Sequence, residues 1–259
     1  MSTSLEGPVL AVLDDQAINI ATEHQMIERL VARAKKGLGF TLFTLNLDHL
    51  VKRRADKTFR DVYARATFVT ADGAPVVALT KAACPEMVRT SGADLIDPIC
   101  AAAAQNNLPV FFFGATQTSL DCAAKALVAK FPGLDIRGTE APPFGFDPYG
   151  QPALEAGQRI ADSGARLCFV ALGAPKQEFL SDRLAQIHEG VGFICIGAAL
   201  DFISGEQVRA PQFMQKIGME WLWRLMSNPR RLGARYWQCA VLLADIAVLE
   251  PLRKRLTGA

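Results

Sequence analysis

Between residues 39 and 205, short apolar runs of strand type alternate with longer runs of helical spacing, and most apolar runs stop at a glycine or a polar residue. "GFTLFTLN", "TFVTADG", "LPVFFFG", "LDIRGT", "ARLCFVALG" and the start of "VGFICIGAALDFISG" read as strands. "DKTFRDVYARA", "PVVALTKAAC", "GADLIDPICAAAAQNN", "TQTSLDCAAKALVAKFPG", "AGQRIADSG" and "APKQEFLSDRLAQIHEG" read as helices. Ahead of them, "PVLAVLD" predicts one more strand and "AINIATEHQMIERLVARAKKG" a helix closing at Gly37. Strands separated by helices of this length pair in parallel, and strands that are apolar throughout are buried on both faces. The expected fold is therefore α/β: a Rossmann-like, mostly parallel sheet with helices on both faces.

The alternation stops near "GEQVRAPQF" (205–213), and everything after it reads as helix. The expected division is an α/β core over 1–210 and a C-terminal helical appendage over 211–259. "TEAPPFGFDPYGQPA" (139–153) is the main irregular stretch, and its prolines and glycines mark a loop.

Composition narrows the function classes. A formal net charge of +2 on 259 residues is no polycation, so a nucleic-acid partner is not expected. The cysteines at 84, 100, 122, 168, 195 and 239 form no CxxC and share no metal spacing with His24, His49 or His188, so buried free thiols are expected. There is no DxD, GxSxG or HExxH, so neither a metal nor a cofactor is expected. The N-terminus lacks the basic and apolar regions of a signal peptide. No uninterrupted apolar run reaches the roughly 20 residues of a spanning helix, so any membrane contact is expected to be peripheral.

In open α/β sheets ligands bind outside the carboxyl ends of the strands. The residues at those ends are Thr44 and Asn46, Asp72 and Gly73, Gly114 to Thr116, Gly173 to Glu178, and Asp201 with Phe202. "FFFGATQTS" and "VALGAPKQE" each place a glycine at a strand end and then open a helix, which offers free N–H groups to a phosphate. Each is equally an ordinary βα turn. Asp72 is the carboxylate best placed for proton chemistry, although "TADG" is also a common turn.

The segment from Gly218 to Leu249 holds Trp221, Trp223 and Trp237 together with Arg224, Arg230, Arg231 and Arg235. Arginine binds phosphate oxygens bidentately, and tryptophan and basic residues favour the membrane surface. A C-terminal helix packed on the sheet, with its tryptophans as core, is the other reading of the same residues.

The segments "TLNLDHLV", "RATFVTADGAPVV", "RTSGADLI", "VFFFGAT", "KFPGLDIRGT", "ALGAPKQE", "GAALDFISGEQVRAP" and "MEWLWRLMSNPRRLGARY" resemble, in order, those of the WecG/TagA/CpsF family of bacterial glycosyltransferases. The resemblance implies an inverting transfer of a hexose or N-acetylhexosamine from a UDP-sugar. The acceptor it implies is a sugar on polyprenyl diphosphate, at the cytoplasmic face of the inner membrane, and the products feed surface polysaccharide or wall polymer. It implies Asp72 as general base, with Thr44 and Asn46 beside it. Gly114, Thr116, Gly173, Pro175, Lys176, Gln177, Glu178 and Asp201 fall to the donor side. Arg209, Arg224, Arg231 and Arg235 fall to the acceptor diphosphate. The chain departs from the family pattern at "EAPPFGF" and at Ala198-Ala199, both beside the expected pocket. A homo-oligomer is left open. The competing class is a non-catalytic nucleotide- or lipid-binding, membrane-associated protein; a dehydrogenase lacks its GxGxxG.

Overall fold

The computed structural model describes residues 5–216 and 218–249. The first two strands, β1 (Ala11–Leu13) and β2 (Gln16–Ile18), form an antiparallel hairpin of their own. The main sheet holds β3 (Phe40–Leu45), β4 (Phe68–Ala71), β5 (Val110–Gly114), β6 (Ile136–Glu140), β7 (Leu167–Ala171) and β8 (Gly192–Cys195). Its order is β4-β3-β8-β7-β5-β6, and every neighbouring pair is parallel. The helices are α1 (Glu23–Lys35), α2 (Leu47–Ala55), α3 (Lys57–Ala64), α4 (Ala74–Thr80), α5 (Gly92–Gln105), α6 (Gln117–Lys130), α7 (Gln151–Asp162), α8 (Lys176–Ile187), α9 (Ala199–Ser204), α10 (Gln212–Lys216), α11 (Glu220–Ser227) and α12 (Pro229–Ala244), which runs on into a π-helical turn over Asp245–Leu249.

The architecture is the expected one. β3, β4, β5, β7 and β8 are buried along their whole length, as strands covered on both faces must be. On one face Phe40, Phe112 and Phe169 pack against α1, α5, α6 and α9 through Leu30, Ile99, Leu120 and Leu200. On the other, Phe43 and Val69 meet α2 and α3, while Phe113, Val170 and Phe193 meet α7 and α8. Among the described residues no strand follows β8.

Two expectations fail at the N-terminus. "PVLAVLD" contributes only Ala11–Leu13 and does not join the main sheet, and the expected helix from Ala17 begins only at Glu23. The cause is the Asp14–Asp15 pair, both in the left-handed region (φ 51° and 59°), which turns the chain back on itself as a two-residue hairpin loop does. Asn19 then lies on the outer edge of β4. Its side chain donates to Thr67 O and accepts from Val69 N, so it caps that edge as a strand would. The helix waits for Thr22, whose hydroxyl accepts from Gln25 N. Helix α2 carries no expectation from its sequence; Asn46 nucleates it by accepting from His49 N.

Candidate active site at the carboxyl edge of the sheet

All six main strands end on one edge, so α2, α4, α6, α8 and α9 start there with their N-termini toward the same space. β5 passes the chain outward to β6, whereas its neighbour β7 passes it inward to β8. Their helices also leave to opposite faces: α6 joins the first core layer and α8 the second. A crevice opens between strands whose connections diverge in this way.

The two tips at this crevice touch. Ala115 N donates to Ala171 O at 2.8 Å. Gly114 has φ +110°, and a Cβ there would stand 2.4 Å from Ala171 O, so only glycine fits. Ala115 (φ 52°) and Gly173 (φ +71°) extend the left-handed backbone on both sides. Thr116 caps α6 by accepting from Ser119 N and donates to Glu206 Oε1.

Four residues that the sequence places with the donor contacts are engaged within the protein instead. Lys176 Nζ donates to Phe146 O at 2.9 Å and ties down the 139–153 loop. Asp201 accepts from Ser119 Oγ and from Gln207 Nε2. Gln177 accepts from Gly197 N and donates to Glu178 Oε1. Glu178 has no exposed surface, so it is corrected from donor contact to interior residue. Pro175, which follows a cis peptide bond, opens α8 at the rim.

At the β4 tip, Asp72 N donates to Leu45 O at 2.7 Å, which fixes the aspartate beside the end of β3. Gly73 (φ +89°) then turns the chain into α4. Asn46 spends its carbonyl on the α2 N-terminus and therefore aims its Nδ2 at Asp72 Oδ2, 3.4 Å away. Burial pushes the Asp72 carboxyl up to about 6; the Asn46 bond and the charges of Arg89 and Arg224 oppose the rise, while Asp94 adds to it. A partly exposed carboxylate with that affinity is ionised at neutral pH yet basic enough to take a proton. Thr44 is almost wholly buried within β3, one residue below the rim.

A model of the glycosyl transferase WecG/TagA/CpsF family matches residues 11–256. The protein belongs to that family. It is thus a glycosyltransferase, and the match runs through both the sheet and the helices that follow it.

Those C-terminal helices bring charge to the β4 side of this WecG/TagA/CpsF glycosyltransferase. Arg209 Nη2 donates to Asp94 Oδ1 at 2.5 Å, and Arg89 Nη2 to Asp94 Oδ2 at 3.2 Å. Glu220 on α11 stands 3.6 Å from Arg89, 3.6 Å from Arg209 and 3.4 Å from Arg224. Arg224 also lies over the Phe202 ring. Arg89, Asp94 and Glu220 carry no role in the sequence reading, although "RTSGADLI" contains two of them; only the fold shows that Arg89 and Asp94 lie near Asp72 and that Glu220 pairs with the arginines there. Arg235 is held elsewhere: it grips Asp48 of α2 with both Nε (2.6 Å) and Nη2 (2.5 Å), which removes it from the diphosphate contacts expected of it. Arg231 lies in α12, and its side chain is outside the described residues.

α12 and the turn after it show two faces. Arg235, Cys239, Leu242 and Asp245 meet α2, with Asp245 accepting from Arg54. Trp237, Val241 and Val248 are exposed on the other side. By length and composition, 232–249 is apolar enough to cross a membrane, which the sequence reading does not expect; only 11% of it is buried in the protein. The expectation of buried thiols holds for five cysteines, and Cys122 is exposed.

Proposed function

We propose that the protein moves a hexose or N-acetylhexosamine, with inversion, from a UDP-sugar to a sugar carried on polyprenyl diphosphate, in the synthesis of a bacterial cell-surface polymer. The observation that carries the reading is Asp72: a carboxylate at the rim, oriented by Asn46, raised in pKa to about 6, and faced by Arg89 and Arg224. The acceptor hydroxyl gives its proton to Asp72 as its oxygen bonds to the anomeric carbon. On the opposite side the bond from that carbon to the β-phosphate oxygen breaks, and UDP leaves with the electron pair. Thr44 and Asn46 support the base from β3.

Charge growing on the leaving diphosphate meets the N–H groups of Thr116, Gly173 and Ala174; losing one such fixed donor typically costs about 3–4 kcal/mol. Arg209 and Arg224 serve the acceptor diphosphate, and Arg89 joins them as a third guanidinium on that side. The helices α10 to α12 act as an appendage that brings Arg224 to this side and rests on the inner membrane surface from the cytoplasmic side. The exposed Trp237, Val241 and Val248 face the lipid, while Arg235 and Asp245 stay paired to the core.

The test is incubation of the full-length protein with a panel of UDP-sugars and a lipid-diphosphate sugar acceptor. Transfer from one donor, lost in Asp72→Asn while UDP is still bound, is the expected result. No transfer with any donor, together with UDP or vesicle binding that Asp72→Asn leaves intact, would instead establish a non-catalytic binding protein.

A further inference from the structure

We propose that Glu178 is a positioning residue of the donor site: its buried carboxyl fixes the Gln177 amide, and that amide holds the Gly197 N–H at the tip of β8. The proposal rests on the donor site proposed above at the β5 and β7 tips, which the β8 tip adjoins. Glu178 sits in the first turn of α8 with no exposed surface, and Gln177 is 3% exposed. Gln177 Nε2 donates to Glu178 Oε1 at 2.8 Å, and Gln177 Oε1 accepts from Gly197 N at 3.0 Å. A side-chain amide has a donating and an accepting end. Turned over, it would set its NH2 against the Gly197 N–H, donor against donor. Glu178 offers an acceptor where the NH2 now points, and so selects the orientation that Gly197 needs.

Gly197 (φ +59°) is where the chain turns out of β8 toward α9. α9 carries Asp201, which accepts from Ser119 in the first turn of α6, beside Thr116. A chain of contacts, buried at α8 and part-buried beyond it, thus runs from α8 through the β8 tip to the β5 tip.

The second oxygen of Glu178 is buried and has no hydrogen-bond partner. An unsatisfied polar atom in the interior is a cost that an apolar side chain of similar size would avoid. The groups around it are Tyr63 of α3, Cys195 of β8, and Asp48 and Lys52 of α2. Lys52 is already paired with Asp48. Burial without a cation of its own pushes the Glu178 carboxyl up to about 7. Near neutral pH the group is therefore divided between its neutral and charged forms; in either form an oxygen accepts from Gln177, and glutamine reproduces its shape and that acceptor.

Three full-length variants test this: Glu178→Gln, Glu178→Ala and Gln177→Ala. Gly197 amide exchange is followed by NMR in the free protein, and UDP binding by calorimetry. One lost hydrogen bond corresponds to about a tenfold change, so Gln177→Ala and Glu178→Ala should each speed Gly197 exchange and weaken UDP by about that factor. The Leu180 and Leu184 amides should exchange as in the wild type, and Glu178→Gln should stay within about twofold on both readouts. Unchanged Gly197 exchange in Gln177→Ala overturns the proposal, and so does a Glu178→Gln protein as impaired as Gln177→Ala. Should Glu178→Ala not fold, the other two variants decide it. If the wild type binds no UDP, the donor reading falls, and the exchange comparison still tests the link.

Discussion

The two halves of the sheet edge hold their groups in place by different means. On the β5–β7–β8 side the work is done by backbone and by a buried amide–carboxyl pair: Gly114 against Ala171, left-handed Ala115 and Gly173, and Gln177 with Glu178. On the β3–β4 side it is done by charge: Asp72 and Asp94 among Arg89, Arg209 and Arg224, with Glu220 between the arginines. The first arrangement cannot shift by an ångström without breaking strand contacts. The second consists of ion pairs at 3.2–3.6 Å besides the tight Arg209–Asp94 contact, and such pairs can exchange partners when an anion arrives. On the proposed function, a rigid array suits a leaving diphosphate whose charge grows at one fixed spot, and a yielding one suits a lipid-linked acceptor that enters and leaves.

The comparison is broken most forcefully at Asp72. Asp72→Asn keeps the shape and cannot accept a proton, so kcat should fall at least about 100-fold, the lower range for a general base, while UDP affinity holds. A variant retaining more than about a tenth of wild-type kcat has lost under about 1.4 kcal/mol of transition-state stabilisation, too little for a base. On the rigid side, Gly114→Ala should cost about 2–4 kcal/mol in urea unfolding, from overpacking against Ala171 O together with a disfavoured φ. A stability change near zero would mean that the two tips are free to part.

On the charged side, Arg224→Ala should lower kcat/KM for the lipid-linked acceptor by about tenfold or more, since a charge-assisted hydrogen bond is worth about 1.5–3 kcal/mol, and should leave UDP affinity unchanged. Because Arg224 is half exposed, raising the salt should shrink the difference between variant and wild type. Salt-independent loss, or equal loss of UDP affinity, would merge the two halves into one site.

The smallest effect is a pH dependence of stability. Glu178 rises from 4.5 to about 7 and Asp72 from 3.8 to about 6 on folding. A carboxyl raised in the folded state holds its proton more tightly there, so its contribution is greatest below the unfolded value and is lost as pH climbs through the folded one. The windows are therefore pH 4.5 to 7 for Glu178 and pH 3.8 to 6 for Asp72. Asp48 and Asp94, whose values are lowered, act in the opposite sense, so the readout is the difference between variant and wild type. Relative to wild type, Glu178→Gln should gain melting temperature as pH rises from 4.5 to 7, and Asp72→Asn should do so from 3.8 to 6. A flat difference for Glu178→Gln would mean the carboxyl is already charged in the fold.

The sequence by itself determined the parallel sheet, its two helical layers, the edge on which the strand tips gather and the family. These rest on period, on glycines at strand ends and on short motifs, which are local properties of the chain. It did not reveal the N-terminal hairpin, because Asp14 reads as the polar end of the strand "PVLAVLD" until it and Asp15 are seen to be left-handed. Nor did it separate residues that face the site from residues that hold it together. Arg235 looks like a phosphate ligand and grips Asp48, 187 positions away; Asp201 accepts from Ser119 across 82. Glu178, in a first helical turn beside two other polar residues, looks solvated and lies sealed in the core. Arg89 becomes a neighbour of Asp72, and Glu220 a partner of Arg89, only when β4, α5 and α11 meet. A side chain's partner is chosen by the geometry of distant segments, and that choice exists only in the tertiary structure.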